Sequence, residues 1–341
     1  MKKSALLLCA LIGLPAYADQ EKMAFALFSK DYPALLQLAE PLAKNEDCGA
    51  LYYLGRYFEE EPVQQRTDKA IASYSRVVAN PQCAKQNIKG WSADRHAKEA
   101  PVGVPFLSVS AEAAERIASR FHRGDHMLNA DPAKAAQWWQ RAEKYGSFEA
   151  DYRLGLLYLA QGESALAFRY LHKHLELIEA IHAHNPWVQR IETRDTNYAL
   201  GKLYLETGSS RFDRDKAIHH LRDAAVLNGI EPSYLLALLY AQRDPQNPFI
   251  ETPGRPPSSG DLGLAVAFLE PAINREVAPP HLRFKRVLGQ LLLADLIFHT
   301  RPEHSRALIK AAFVQTIELD AKAQREARAQ LSQLKRKWSI D

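Results

Sequence analysis

The stretch that decides the fold is Tyr198–Tyr240, YALGKLYLETGSSRFDRDKAIHHLRDAAVLNGIEPSYLLALLY. Tyr198, Leu200, Leu203 and Tyr204 fall at helical spacing, and Gly201 keeps one side small. Asp213 and Asp215 are cap candidates for a second helix carrying Ala217, Leu221 and Ala224, and Asn228-Gly229 reads as its stop. Tyr234, Leu236, Ala237 and Tyr240 then restart the first pattern. Gly201 and Ala237 are equivalent and stand 36 residues apart. A period of that length holding two helices marks a stacked α-α repeat.

The same signature runs along the chain. The small residues of the first helices are Gly55, Ala118, Gly155, Gly201, Ala237 and Gly289. The alanines of the second helices are Ala70, Ala135, Ala165, Ala217, Ala265 and Ala307. Glycine inside a helix costs about 1 kcal/mol relative to alanine, so its recurrence at one phase implies a packing gain. Asp68 and Asp215 read as N-caps, and Asp131-Pro132 is the clearest, a capping carboxylate followed by proline at the first helical position. Met23–Ser29 and Tyr32–Leu42 form a shorter pair ahead of the first full unit.

The spacing is uneven, so three insertions break the array, near 85–110, 182–195 and 243–260. Insertions in repeat arrays leave from one face or edge and often carry recognition. The first holds Trp91 and Phe106, the second Asn185-Pro186-Trp187, and the third is proline-rich. Residues 321–341 read as a capping helix, with Ala323, Ala327, Leu331 and Leu334 as a narrow apolar stripe. Its last turn carries Lys335, Arg336 and Lys337, which suit the helix dipole; the alternative is a basic tag for an anionic surface.

LGxxY, a turn, D-x-K-A and then A-A-x-x-x-G resembles the Sel-one-like repeat, a branch of the tetratricopeptide superfamily. The match is closest at 198–229, good at 49–80, 113–146 and 151–171, and degraded at 234–274 and 282–313. The resemblance implies an all-α, right-handed superhelical solenoid over 19–320, with about six helix pairs. It implies an adaptor or scaffold for protein partners in the cell envelope, with an envelope polysaccharide as the alternative partner, and exopolysaccharide export or envelope assembly among the roles known in that family. The competing role it carries is a secreted hydrolase, or a binder of β-lactams or peptidoglycan fragments. Those relatives are cysteine-rich, which this chain is not.

Residues 1–18 read as an export signal. Lys2-Lys3 is the positive region, 5–14 the apolar core, and Ala16-Tyr17-Ala18 the cleavage site before Asp19. Leu8 is too bulky to precede a lipidated Cys9. The expected location is the periplasm or the outside. The formal charge of +4 falls by two when Lys2 and Lys3 are removed, too little to argue for a nucleic-acid partner. No later stretch is apolar and long enough to span a bilayer. Cys48 and Cys83 remain, about one repeat apart. An exported protein permits a bridge between them; equivalent positions on stacked helices lie ~8–10 Å apart, beyond disulfide reach, but the long irregular stretch after Cys83 can bring the two closer, so a Cys48–Cys83 disulfide and two buried thiols both stand.

The chain lacks GxSxG, HExxH, a phosphate-binding GxxxxGK[ST] loop and GxGxxG. His172, His174, Glu176, Glu179, His182 and His184 cluster in sequence, but their helical directions differ and no single metal collects them. No catalytic residue, cofactor or metal is expected. Glu59, Glu60 and Glu61 read as a solvated turn before Pro62. Phase alone places Arg56, Arg120 and Lys202 between core positions of first helices, as candidates for a concave partner-binding face.

Overall fold

The computed structural model describes residues 19–60, 66–89, 98, 106–206, 209–226, 229–244, 248–250, 257–274 and 279–339. The expected export signal, Glu61, Trp91, Asn228, most of the first insertion and half of the third lie outside the described residues. The described part is all-α, with no strand among the described residues and an isolated Asp125–Leu128 bridge after α5. It divides into two compact units, one ending at His184 and the other starting at Asn185.

The first unit begins with α1 (19–28) and α2 (Tyr32–Lys44). Three pairs follow: α3 (Cys48–Glu60) with α4 (Thr67–Ala79), α5 (Val109–Arg123) with α6 (Pro132–Lys144), and α7 (Glu149–Ala160) with α8 (Ser164–Ile181). The second unit opens with the short α9 (Pro186–Glu192). It continues with α10 (Arg194–Tyr204) and α11 (Arg214–Ala224), α12 (Ile230–Tyr240) and α13 (Ser259–Ile273), and α14 (Arg283–Ile297) and α15 (Pro302–Gln315), then closes with α16 (Ala321–Trp338). Within the first unit from α2 to α8, and within the second from α9 to α16, each helix packs on the next, and first helices also touch each other, α3 on α5 and α12 on α14.

Four of the pairs are set by a short chain of backbone bonds. The residue capping the second helix donates its N–H to a carbonyl near the end of the first helix. Arg66 bonds Phe58 at 3.0 Å, Asp131 bonds Phe121 at 2.7 Å, Glu163 bonds Tyr158 at 2.9 Å and Asp213 bonds Tyr204 at 2.9 Å. Each acceptor lies three residues after the small residue of its helix. The capping carbonyl then accepts the N–H of a buried small residue four positions on: Ala70, Ala135, Ala167, Ala217 and, in α15, Ser305.

That count corrects two expected positions. Ala165 and Ala307 are exposed. The caps are Glu163 and Arg301, so Ala167 and Ser305 take the buried place, and the Ser305 hydroxyl donates to the Ala294 carbonyl at 2.7 Å. In α13 the cap is Ser258, in a capping box with Asp261. Buried Ala265 lies seven residues on, so this helix starts one turn early.

Caps account for other differences. Asp131 and Asp213 cap α6 and α11. Asp68 does not cap α4: the cap is Arg66, and its guanidinium holds both Asp68 oxygens at 3.0 and 2.9 Å. Asp215 lies inside the first turn of α11. Gly229 does not stop α11, which ends at Ala224; it is the N-cap of α12. In the second insertion Asn185 caps α9 with Pro186 at its first position.

The glycines permit close approach. A Cβ on Gly55 would overlap the fully buried Tyr74 ring of α4, and one on Gly201 would sit 2.7 Å from Leu221 Cγ. Gly289 instead admits Ile273 of the preceding pair. Cys48 opens α3, Cys83 lies in the 3-10 turn after α4, and the two are joined by a disulfide with Cα atoms 5.4 Å apart. The turn brings Cys83 nearer than stacked helix positions would. Closing a loop of 35 residues contributes about 4 kcal/mol in the chain-entropy account.

The capping helix is latched by one buried acid. Asp295 of α14 is held by Arg243 Nη2 at 3.2 Å, Lys337 Nζ at 2.8 Å and Trp338 Nε1 at 2.8 Å. Lys337 also donates to the Phe249 carbonyl at 3.2 Å. Lys337 is therefore an internal partner, not part of an exposed basic tag. Ala327, Leu331 and Leu334 are buried beneath it.

Gly55→Ala is expected to destabilise the protein by about 1–3 kcal/mol through overpacking against Tyr74. Gly263→Ala, in α13 with no atom near its added Cβ, is expected to stabilise by up to about 1 kcal/mol. Chemical denaturation of both variants beside the parent chain checks the pair.

Candidate functional site

The first helices carry the polar side chains that packing does not consume. In the first unit these gather around Glu59, whose side chain is 6% exposed. Tyr74 donates its hydroxyl to Glu59 Oε2 at 2.9 Å, Arg116 donates Nη1 to the same oxygen at 2.8 Å, and Arg120 donates Nε to Oε1 at 3.2 Å. Arg120 also reaches Asp125 at 3.3 Å, where the Thr67 hydroxyl donates at 2.5 Å. Arg116 donates Nε to the Tyr52 hydroxyl at 3.0 Å. Three helices, α3, α4 and α5, are thus tied by one acid, and Glu59 is a buried hub where a solvated turn was expected. Its neighbour Glu60 behaves as expected, an exposed acid paired with Arg56 one turn earlier.

This network floors a cleft of about 240 Å³ between α3 and α5, rimmed by Tyr52, Glu112, Glu115 and Ser119. Burial pushes the Glu115 carboxyl up to about 7, against the pull of the Ser147 hydroxyl that donates to it. Burial also raises Glu112, against Tyr52 and Arg116.

The second unit presents a different face. Tyr198 and Lys202 lie one turn apart on α10, Glu231 and Tyr234 on α12, and Lys285 at the start of α14. Lys202 Nζ stands 5.4 Å from the Tyr198 ring centre, and Lys285 Nζ 4.8 Å from the Tyr234 ring centre. A cation over an aromatic face gains about 0.5–2 kcal/mol, more as it is desolvated. Among the described residues neither lysine has a carboxylate within ion-pair distance, and neither tyrosine hydroxyl has a hydrogen-bond partner. Burial lowers the Lys285 pKa; Glu231 and Glu326 oppose the shift, and Lys202 adds to it. Burial raises Tyr198, with Glu231 adding to it. Beside this row lies a cleft of about 410 Å³ lined by Arg194, Asp195, Tyr198, Ile230, Glu231 and His281.

The three residues chosen by phase therefore differ in state. Arg56 is paired with Glu60, and Arg120 is committed to Glu59 and Asp125. Lys202 is exposed and keeps its charge available. Sequence reasoning passed over Tyr52, Glu59, Arg116, Tyr234 and Lys285. The i, i+4 spacing of Tyr198 and Lys202 was a usable signal; nothing local marks Glu59 as buried. The histidine cluster divides as its helical directions require. His174 is buried, and burial lowers its pKa to about 4, so it stays neutral. Among the described residues no three His, Cys, Asp or Glu side chains converge to hold a metal ion.

These pairs of short helices, built on small-residue contacts and cap-to-carbonyl bonds, define an α-α repeat protein. No family model matches the chain, and no curated protein does. Among solved structures it is similar to a Sel1 repeat protein from Oxalobacter formigenes, with 13% identity over 86% of this chain and 96% of that one and a TM-score of 0.51. That likeness shows the fold. It is also similar, at a TM-score of 0.40 and 15% identity, to c5321, a protective antigen of uropathogenic Escherichia coli strains with an SLR fold, over 96% of this chain and 78% of that one. The particular architecture here is thus the Sel1-like repeat.

Removing Glu59 leaves Arg120 buried without its main partner, so Glu59→Ala is expected to cost about 3–5 kcal/mol. Glu60→Ala removes an exposed pair and is expected to cost about 0–1 kcal/mol. Denaturant unfolding at neutral pH checks the contrast. Glu115 has a folded pKa above its unfolded one, so its contribution is full below about 4.5 and lost as pH rises through about 7. Glu115→Gln is therefore expected to be more stable than the parent above pH 7, on the order of 1–3 kcal/mol, with the difference vanishing below pH 4.5. Unfolding curves across pH 4–8 read it.

Proposed function

We propose that the protein is an exported scaffold that binds another protein of the cell envelope. The observation that carries this reading is the row on α10, α12 and α14, where tyrosines and uncompensated lysines line the first helices of three successive pairs. The tyrosine rings pack on the core, while the two ammonium groups beside them form no ion pair among the described residues. Aromatic side chains with cations beside them are the groups that dominate protein interfaces. A face built on rigid helices loses little order on binding.

Export is supported by the Lys2-Lys3, apolar and Ala16-Tyr17-Ala18 pattern, with processing before Asp19. The Cys48–Cys83 bridge agrees with it, since such bonds persist in oxidising compartments. Exopolysaccharide export and envelope assembly are the pathways in which such a scaffold would serve.

The test is crosslinking capture from the envelope of the native host. One dominant protein partner is expected, retained by Arg56→Glu and lost with Lys202→Glu while thermal unfolding is unchanged. Arg120→Glu is unsuitable, because it breaks the Glu59 network. Absence of any partner when the folded protein is abundant in the envelope would overturn the reading.

A further inference from the structure

The row on α10, α12 and α14 has a chemical bias that names its partner more closely, and the argument rests on the scaffold reading above. Its four inward-facing polar groups are Lys202 Nζ, Lys285 Nζ and the hydroxyls of Tyr198 and Tyr234. All four can donate a hydrogen bond, and the two ammonium groups can only donate. Tyr234 is 3% exposed, yet its hydroxyl has no partner among the described residues. The hydroxyl is not fully enclosed, so an arriving acceptor can reach it and gain a hydrogen bond. Lys285 is partly buried beside a second lysine, which is unfavourable until an anion comes between them.

The acids nearby limit the charge the row accepts. Glu231 and Glu326 face Lys285 beyond ion-pair distance and offset part of the two positive charges. A monoanion suits that balance better than a doubly charged phosphate. The donors are also distributed over three helices, whose axes are spaced ~8–10 Å apart, too far for one small anion to span. The half-buried Tyr198 ring offers apolar surface for the stem of a neighbouring residue. An extended chain bearing carboxylates at intervals meets all of these conditions.

We propose that this face is a receptor for an extended acidic peptide segment of the partner, with Lys202 and Lys285 each taking a Glu or Asp side chain. Tyr234, and Tyr198 beside Lys202, donate to the same carboxylates.

The test uses the purified protein and a fluorescein-labelled octaglutamate peptide, followed by anisotropy in about 0.1 M salt. Saturable binding below ~1 mM is expected, with an octaglutamine peptide not binding. Lys202→Met with Lys285→Met, which keeps the apolar stems, is expected to weaken binding at least about tenfold. Lys310→Gln with Lys322→Gln, on α15 and α16 of the same unit, is expected to leave it unchanged. Tyr234→Phe is expected to weaken it about threefold without lowering thermal stability. No saturable binding, equal binding to the double methionine variant, or displacement by inorganic phosphate at lower concentration than by acetate would each overturn the proposal. The two readings separate cleanly. An envelope partner captured equally by the parent and by the double methionine variant ends this inference alone. Octaglutamate binding with no envelope partner ends the scaffold reading.

Discussion

The structure depends on one constraint: neighbouring helices can close only where a small residue in a first helix admits a large one from its neighbour. Gly55 admits Tyr74 and Gly201 admits Leu221, each without room for a methyl group. The helix–helix distance set there brings the end of the first helix within reach of the next cap. The cap residue then donates to the carbonyl three residues past the small one, and its own carbonyl fixes the next buried position. Contact, turn and register are consequences of a single approach. A pair that lost it would lose its loop bond and its buried residue together.

On that frame each unit adds a buried carboxylate. Glu59 ties α3, α4 and α5, and Asp295 ties α14 to the end of α16 and to the segment around Phe249. Both acids are surrounded by donors from other elements, so the desolvation of the carboxylate is offset by several charge-assisted hydrogen bonds. Such hubs select one arrangement of helices, since any shift leaves a charge unpaired. The lysine and tyrosine row of the second unit has the opposite character, with its donors left open. The two kinds of polar cluster serve different ends: one joins repeats, the other remains available.

Most of the fold was legible because its signals are local. The spacing of Gly155, Gly201 and their equivalents, and caps such as Asp131-Pro132, can be read within one turn of helix. Register failed where the cap was chemically silent. Glu163, Arg301 and Arg66 cap through the backbone alone, so Ala165, Ala307 and Asp68 were assigned places that their neighbours occupy. The polar sites were less legible, because partners lie far apart in sequence. Glu59 meets Arg116 and Arg120 about sixty residues on, and Asp295 meets Trp338 across 43. Composition and phase carry no record of such pairings. Lys202 was found by its phase between core positions of a first helix, while Lys285 stands over a ring on another helix and has no such signal.

Counting from the cap has a wider consequence. The buried position follows from the cap residue and not from the length of chain before it, so segments between pairs can grow or shrink without moving any core residue. The uneven spacing of this chain is the expected trace of that freedom. Loops inside a pair share that freedom: a foreign loop entered before Arg66, Asp131 or Asp213 would leave the count from the cap, and hence the buried position after it, as it stands.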